Sequence, residues 1–296
     1  MMVEENAAKG GLSMPHLPPD ADRRGYLLED YRLFHLRESR AQTFGYHYHD
    51  FHKVVVFLSG QVTYTVEGRA YFLTPGDLLL VPHHHIHQPD IGQATYERFI
   101  LWLTPAFLAG YGLEDCFVRT EETGFHLIRP AHPGELVTLL QRMEEAERDD
   151  GFAGELLGRT LCLQFLIALN RAGLDNQASD SRGVYASDGK IQQVMAYINA
   201  HLCDPLSVEQ LAAAFYLSPS WLMHRFKAVT GCSVHQYVVQ KRLIAASESI
   251  RSGTGVMKAA REAGFGDYSA FLRAFRAAYH TAPRTLTEGG KGRKEG

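Results

Sequence analysis

The sequence predicts an α+β chain of two domains, an N-terminal β-barrel with helices followed by an all-α domain. Three observations predict it. Between Tyr31 and Leu103, short apolar runs alternate with turn residues. After Pro133, apolar residues recur at three- and four-residue steps. The length, 296 residues, suits two domains of roughly 100–200 residues each. Hydrophobic residues make up 45% and charged residues 21%, as in an ordinary globular protein. No apolar run reaches the roughly 18–20 residues of a membrane-spanning helix, so no membrane partner is expected. Cys116, Cys162, Cys203 and Cys232 show no CxxC spacing, which excludes a zinc finger and disfavours a disulfide scaffold. This usage, with no apolar stretch behind a basic start, leads us to expect a cytoplasmic protein.

Residues 1–25, with Pro15, Pro18 and Pro19, are expected to form a flexible arm. The strand candidates are Tyr31–Arg37, Val54–Leu58, Gln61–Val66, Arg69–Leu73, Asp77–Val81 and Tyr96–Leu103. Gly60, Gly68 and Pro75-Gly76 punctuate them. Together they assign residues 26–130 to the barrel. Residues 131–172 read as a helical packing or dimerisation segment. Its first helix carries Leu136, Leu139, Leu140 and Met143. Its second, about Glu155 to Asn170, is apolar on most sides and is either a core helix or a dimer helix. Residues 173–188 are polar and rich in Gly, Ser and Asp, as in a linker. Residues 189–288 read as helices, with a tail at 289–296.

Charge is divided unevenly. Residues 1–187 hold 16 basic and 25 acidic side chains (−9), and residues 188–296 hold 14 and 8 (+6). A basic rear half favours a polyanionic partner.

That rear half repeats itself at a shift of 49 residues. Val208 falls on Met257, Leu211 on Ala260, Ala214 on Ala263, Ser220 on Ser269, Leu222 on Phe271, Phe226 on Phe275 and Lys227 on Arg276. Each copy has the grammar of a helix-turn-helix. In the first, Ser207 caps one helix and Ser218, with Pro219 after it, caps the next. In the second, Gly264-Phe265-Gly266 makes the turn and Asp267 is the cap. Leu222, Phe226, Phe271 and Phe275 are expected inside. Ser218, Ser220, Trp221, His224 and Arg225, and in the second copy Asp267, Tyr268, Ser269 and Arg273, are the candidate contacts to double-stranded DNA. Such a helix fits the major groove, and arginine suits guanine or phosphate. The amphipathic stretch Val234–Arg251 reads as one long helix that sets the distance between two recognition helices. A rigid spacer of this kind could place them in successive grooves about 34 Å apart.

The segment Ala259–Leu286 (AAREAGFGDYSAFLRAFRAAYHTAPRTL) resembles the C-terminal signature of the AraC/XylS transcription regulators. So do Leu206–Lys227 and the connector with Lys241-Arg242-Leu243 and Ala246. The likeness covers about 100 residues. It departs at Tyr279-His280, where the family usually has a glycine second, and at Arg276 for the usual lysine. The resemblance implies control of bacterial promoters, often as an activator, and hence RNA polymerase as a partner.

Seven of the 15 histidines lie between residues 47 and 87: His47, His49, His52, His83, His84, His85 and His87. A strand through His47-Tyr48-His49 would put both imidazoles on one face, with Lys53 on the same side. The spacing from Gly76 through Pro82 to His87 resembles the second motif of cupin barrels. HxH would be the first, so the front half is expected to be a cupin-like jelly roll. Many AraC-type regulators keep such a barrel as a sensor. The cupin metal site usually adds a glutamate where Lys53 stands and an asparagine where Ile91 stands. Three readings stay open: His47, His49 and His87 hold Zn²⁺, Ni²⁺ or Fe²⁺; they bind an organic effector such as a sugar or sugar acid, with Lys53 and Tyr64; or they are structural. His83, His84 and His85 are expected to be exposed or at the pocket mouth. The function expected is a small-molecule-controlled regulator, homodimeric, and not an enzyme. The alternatives are a metal-responsive regulator and a cupin metalloenzyme with a helical accessory domain.

Overall fold

The structure is a computed structural model and describes residues 27, 29–38, 42–43, 46–91, 95–148, 151–175, 184–279 and 281–288. The expected arm, the tail and the middle of the expected linker lie outside them. The front half runs β1 (Tyr31–Glu38), β2 (Gln42–Thr43), β3 (His52–Ser59), β4 (Val62–Val66), β5 (Arg69–Phe72), β6 (Leu78–Val81), β7 (His87–Ile91) and β8 (Tyr96–Leu103). It continues with α1 (Pro105–Tyr111), α2 (Asp115–Thr123), β9 (Leu127–Ile128), α3 (Pro133–Ala146), α4 (Gly154–Asp175) and β10 (Val184–Ser187). The rear half is α5 (Gly189–Ala200), α6 (Val208–Ala214), α7 (Pro219–Thr230), α8 (Val234–Arg251), α9 (Val256–Glu262), α10 (Tyr268–Tyr279) and α11 (Thr285–Glu288).

The strands form two five-stranded antiparallel sheets, ordered β1-β8-β3-β6-β9 and β10-β5-β4-β7-β2. Side-chain alternation explains why β3 is buried on both faces. Val55 and Phe57 point between the sheets, against Val62, Tyr64, Val66, Tyr71, Ile91 and Tyr96. Val54 and Val56 point the other way, under Phe107, Phe117, Leu140, Met143, Phe165 and Leu166 of the helices. The front half is thus a sheet-on-sheet-on-helix stack. The expected barrel is corrected in one respect. Among the described residues no ladder joins the two sheets edge to edge, so the strands make a sandwich that does not close.

Four strands, β2, β7, β9 and β10, lie outside the sequence expectation, and one expected strand is absent. β7 was not foreseen, because HQPDI has no β-branched run and carries Pro89. Its backbone pairs with β4, and its alternate residues His87, Pro89 and Ile91 are buried. Conversely, His47 to His49 is not a strand. His47 makes one isolated bridge to His87. Within the expected linker, α4 runs on to Asp175 and residues 184–187 pair with β5 as β10.

In the rear half the repeat folds as two helix pairs around two small cores. Leu211, Ala212, Leu222 and Phe226 fill the first, with Ile191, Val194 and Ile198 of α5. Ala259, Ala260, Phe271 and Phe275 fill the second. Burying each phenylalanine stabilises by roughly 1.5–3 kcal/mol. The 18-residue helix α8, about 27 Å long, serves both. Its Val234, Tyr237 and Val238 enter the first core, and its Leu243, Ala246 and Ile250 enter the second. Gly264 is at φ +89°, and a side chain there would meet the Leu202 carbonyl oxygen, so this turn requires glycine.

The two halves interlock. Ile86 and Tyr46 of the front half lie in the first helix-turn-helix core. Glu67, in the β4–β5 turn, accepts from Lys241 Nζ at 2.8 Å and from Tyr237 Oη at 2.8 Å, both on α8. Arg251, at the end of α8, pairs with Asp50 at 3.0 Å.

Candidate functional site

Two sites can be built from these elements. The first is a helical surface. Ser218 Oγ accepts from the Trp221 amide and starts α7. Asp267 does the same for α10, accepting from the Ser269 and Ala270 amides at 3.1 and 2.9 Å. Both caps act as expected. With Leu222, Phe226, Phe271 and Phe275 inside, helical periodicity leaves Ser220, Trp221, His224, Arg225, Ser269 and Arg273 exposed. Tyr268 is half-buried, its ring 6.0 Å from that of Phe271. Besides the two caps, two candidates make side-chain hydrogen bonds within the chain, and Lys190 lies 6.0 Å from the Trp221 ring. His224 Nδ1 donates to the Ser220 carbonyl at 2.8 Å. Arg225 Nε donates to Asp188 Oδ2 at 2.5 Å, and Asp188 is itself the N-cap of α5. Arg225 therefore straps α5 to α7 as well as facing outward. Arg273 stays exposed on the outer face of α10.

The second site is a largely buried cluster of polar side chains in the front half. His47, half-buried, and His49 and His87, buried, bring one ring nitrogen each within 4.8 Å of one another. Centroid separations are 5.0 Å (His47–His49), 4.3 Å (His47–His87) and 5.0 Å (His49–His87). Tyr64 stacks on His87 at 6.0 Å. Phe51 stacks on His49 at 4.5 Å, with Trp102 behind it. The structure thus brings together every expected pocket residue: His47, His49, Lys53, Tyr64 and His87. No strand brings His47 and His49 there; the segment is held by the bridge of His47 to His87 and by the His84 amide on the His49 carbonyl.

The hydrogen bonds define the chemistry. His87 Nδ1 donates to the His85 carbonyl at 2.9 Å, so its Nε2 carries the lone pair. That nitrogen accepts from Lys53 Nζ at 3.2 Å. Burial, then His47 and the Lys53 cation, holds His87 well below the usual imidazole range. Burial, then Lys53, does the same for His49. Both rings are neutral at pH 7. His49 Nδ1 and Nε2 and Trp102 Nε1 are buried with no hydrogen-bond partner among the described residues. Orphaned polar groups of this kind cost about 1–3 kcal/mol each, and a polar ligand would satisfy them.

A metal ion fits this set poorly. The lone pair that His87 would give to the metal already faces an ammonium group. Like charges 4 Å apart repel by about 4 kcal/mol per pair of unit charges near a protein surface. A divalent ion would meet twice that.

The residues His83, His84 and His85 are not at an open mouth. The loop between β6 and β7 is packed between the pocket and α8. His84 is buried at φ +65°, its amide donating to the His49 carbonyl at 2.7 Å and its carbonyl accepting from Lys241 at 3.2 Å. His85 meets His126 Nε2 at 3.0 Å, and His126 Nδ1 meets Tyr71 Oη at 3.0 Å. Sequence reading missed His126, Glu67 and Glu248. None belongs to a motif, and each acquires its partner across a long stretch of chain.

Residues 33–166 match the family model described as an AraC-like ligand-binding domain, and residues 211–289 match that of a helix-turn-helix domain. The HTH-type transcriptional activator RhaS of Salmonella arizonae is 28% identical over 255 residues, spanning 82% of this chain and 87% of that protein. RhaS of Salmonella paratyphi B is 28% identical over 254 residues, with the same coverage. Among solved structures, ToxT from Vibrio cholerae O395 aligns with a TM-score of 0.40 and 11% identity, over 89% of this chain and 99% of that one.

The class these findings define is a DNA-binding transcription regulator governed by a ligand-binding sensor domain. The chain belongs to the AraC/XylS family of such regulators. No helix among the described residues is long and apolar enough to cross a membrane.

Proposed function

We propose that the protein activates transcription from bacterial promoters when a polar, anionic small molecule such as a sugar acid enters the pocket of His47, His49, Lys53, Tyr64 and His87. The observation that carries this reading is the orphaned His49 ring beside the Lys53 cation. Neutral imidazoles can donate to or accept from hydroxyl groups. The ammonium group of Lys53 matches a carboxylate. The chemistry is binding without turnover. Relatives named as transcriptional activators support the direction of control.

Coupling to DNA would run through the β6–β7 loop. One end of that loop is His87 in the pocket, and its His84 carbonyl is held by Lys241 of α8. A ligand that binds one arrangement of this loop more tightly shifts the population of sensor and connector-helix arrangements. Residues Ser218, Ser220, Trp221, His224 and Arg225 of the first repeat, and Asp267, Tyr268, Ser269 and Arg273 of the second, would face the promoter. RNA polymerase would be met from the same surface of the complex. On α4, Leu156, Leu157, Ile167 and Leu174 are exposed, beside the exposed polar residues Glu155, Thr160, Gln164 and Arg171. Exposed apolar side chains of that kind support a homodimer through α4. The protein would act in the cytoplasm, where promoters are reached.

Thermal-shift screening of sugars and sugar acids tests the pocket. A sugar acid should raise the unfolding temperature of the wild type and fail to do so for Lys53→Met and His49→Ala. Equal shifts in the wild type and both variants would remove the pocket from the assignment. Selection of duplexes from a random-sequence pool tests the DNA half. An enriched site with two elements about one helical turn apart is expected, and no enrichment would overturn it.

A further inference from the structure

A second cluster of metal-ligating groups lies where the two halves meet, away from the pocket imidazoles. His83 and His84 come from the β6–β7 loop of the sensor, and Glu248 comes from α8. Glu248 Oε1 is 3.1 Å from His84 Nδ1 and 3.3 Å from His83 Nε2. The three donor atoms lie within 4.8 Å of one another. A tetrahedral zinc ion with bonds of about 2.0–2.2 Å holds neighbouring donors about 3.3 Å apart. Two edges of such a tetrahedron are therefore within about 0.5 Å of that length.

The surroundings fit the same purpose. The other ring nitrogen of His83, Nδ1, is 3.7 Å from Glu121 Oε1 on α2. That is longer than a hydrogen bond, but it puts a carboxylate on the side of the ring where an outer carboxylate orients a metal-bound imidazole. The amide and carbonyl of His84 are both tied down, so its ring is aimed by fixed backbone. The side chain of Glu248 is 49% exposed and that of His83 24%, which leaves room for a water as fourth donor. The nearby cation, Lys241, is bound to the His84 carbonyl and paired with Glu67, and not to a ring nitrogen of either histidine.

We propose that His83, His84 and Glu248 bind a divalent transition ion of the zinc class, with water as the fourth donor. The ion would bridge the sensor loop and the connector helix, so the two halves would be tied together by a metal whose availability changes their coupling. This is independent of what the pocket holds.

The test uses the full chain freed of metal with a chelator and titrated with Zn²⁺ by equilibrium dialysis. A His49→Ala background keeps the pocket imidazoles from contributing. About one equivalent should bind there. Adding Glu248→Gln should weaken binding at least about tenfold, and His83→Gln should do the same. Glu209→Gln, an exposed carboxylate elsewhere, should not. Zn²⁺ should also raise the unfolding temperature of His49→Ala and leave that of His49→Ala/Glu248→Gln unmoved. Failure of the His49→Ala chain to bind Zn²⁺ would overturn the proposal. So would equal affinity with and without Glu248→Gln. Because both ligand variants alter partly exposed side chains, two independent losses are expected from folded protein. Circular dichroism confirms the fold in each.

Discussion

Lys241→Met removes the cation that ties the connector helix to the sensor, and the structure fixes what is lost. Lys241 Nζ gives one hydrogen bond to Glu67 Oε1 at 2.8 Å and one to the His84 carbonyl at 3.2 Å. Both side chains are largely buried, at 10% and 14% exposure, so solvent screening does not cancel the pair. Hydrogen bonds to charged groups contribute about 1.5–3 kcal/mol, and stranding a buried charge costs about 3–5 kcal/mol. Glu67 is not stranded outright, since Tyr237 Oη and the Ile86 amide at 2.9 Å still donate to it. The expected loss is therefore about 2–3 kcal/mol. A double-mutant cycle with Glu67→Gln should return a coupling energy of about 1.5–3 kcal/mol. The chain carries its own reporters, with one of its two tryptophans in each half: Trp102 in β8 and Trp221 in α7. Urea unfolding followed in Trp102→Phe and Trp221→Phe backgrounds reads each half separately. The transitions should coincide with the clamp intact and separate when it is broken. A coupling below about 0.5 kcal/mol, with coincident transitions in Lys241→Met, would show that the pair does not hold the halves together.

Other consequences can be checked directly. Arg273→Ala should weaken sequence-specific binding by roughly 1–3 kcal/mol if Arg273 reads a base. Equal losses on all sequences, with a shallower salt dependence, would assign it to phosphate. Gly231→Ala should destabilise the interface as well as the helix end. The glycine is at φ +75°, and an added Cβ would fall on the Tyr46 ring from the sensor. Wild-type activity and unfolding temperature in that variant would refute the contact. Acid should weaken the fold early. Burial lowers His52 to about 2 and holds His126 well below the usual imidazole range. The unfolded chain takes up these protons near pH 6.5 and the native chain does not. Stability present above pH 6.5 is thus lost as pH falls below it, by about 1.4 kcal/mol per pH unit for each histidine. An unfolding temperature flat between pH 7.5 and 5.5 would contradict this. Ser218→Ala should cost about 1 kcal/mol through the lost α7 cap. An unchanged unfolding midpoint for the rear half would count against the cap.

Much of the fold was legible because its punctuation is local. Gly60, Gly68 and Pro75-Gly76 mark real turns, and Ser207, Ser218 and Asp267 are real caps, since each acts on backbone within three residues. The repeat was legible because both copies bury residues at the same helical positions. β7 was hidden because its backbone is recruited by β4 and not by its own propensity. The pocket residues were recognisable as histidines in a pattern. The role of Lys53 as the donor to His87 came from a β3 neighbour 34 residues away in sequence. The interface was the least legible part. Glu67, Lys241 and Glu248 are unremarkable charges on a turn and a helix. Only the folded chain brings Glu67 and Lys241 together across 174 residues.

The position of β10 bears on how freely the two halves can be exchanged between regulators. The segment entering α5 first adds a strand to the sensor sheet, pairing with β5, the strand that follows the Glu67 turn. A chimera cut in the polar stretch before residue 184 would take that edge strand from its own sheet. One cut after residue 187 would keep the sheet whole but lose the Glu67 and Asp50 partners on α8. Swapping sensors should therefore succeed only when the recipient helix also receives Tyr237, Lys241, Glu248 and Arg251. In this chain the unit of inheritance is larger than either domain.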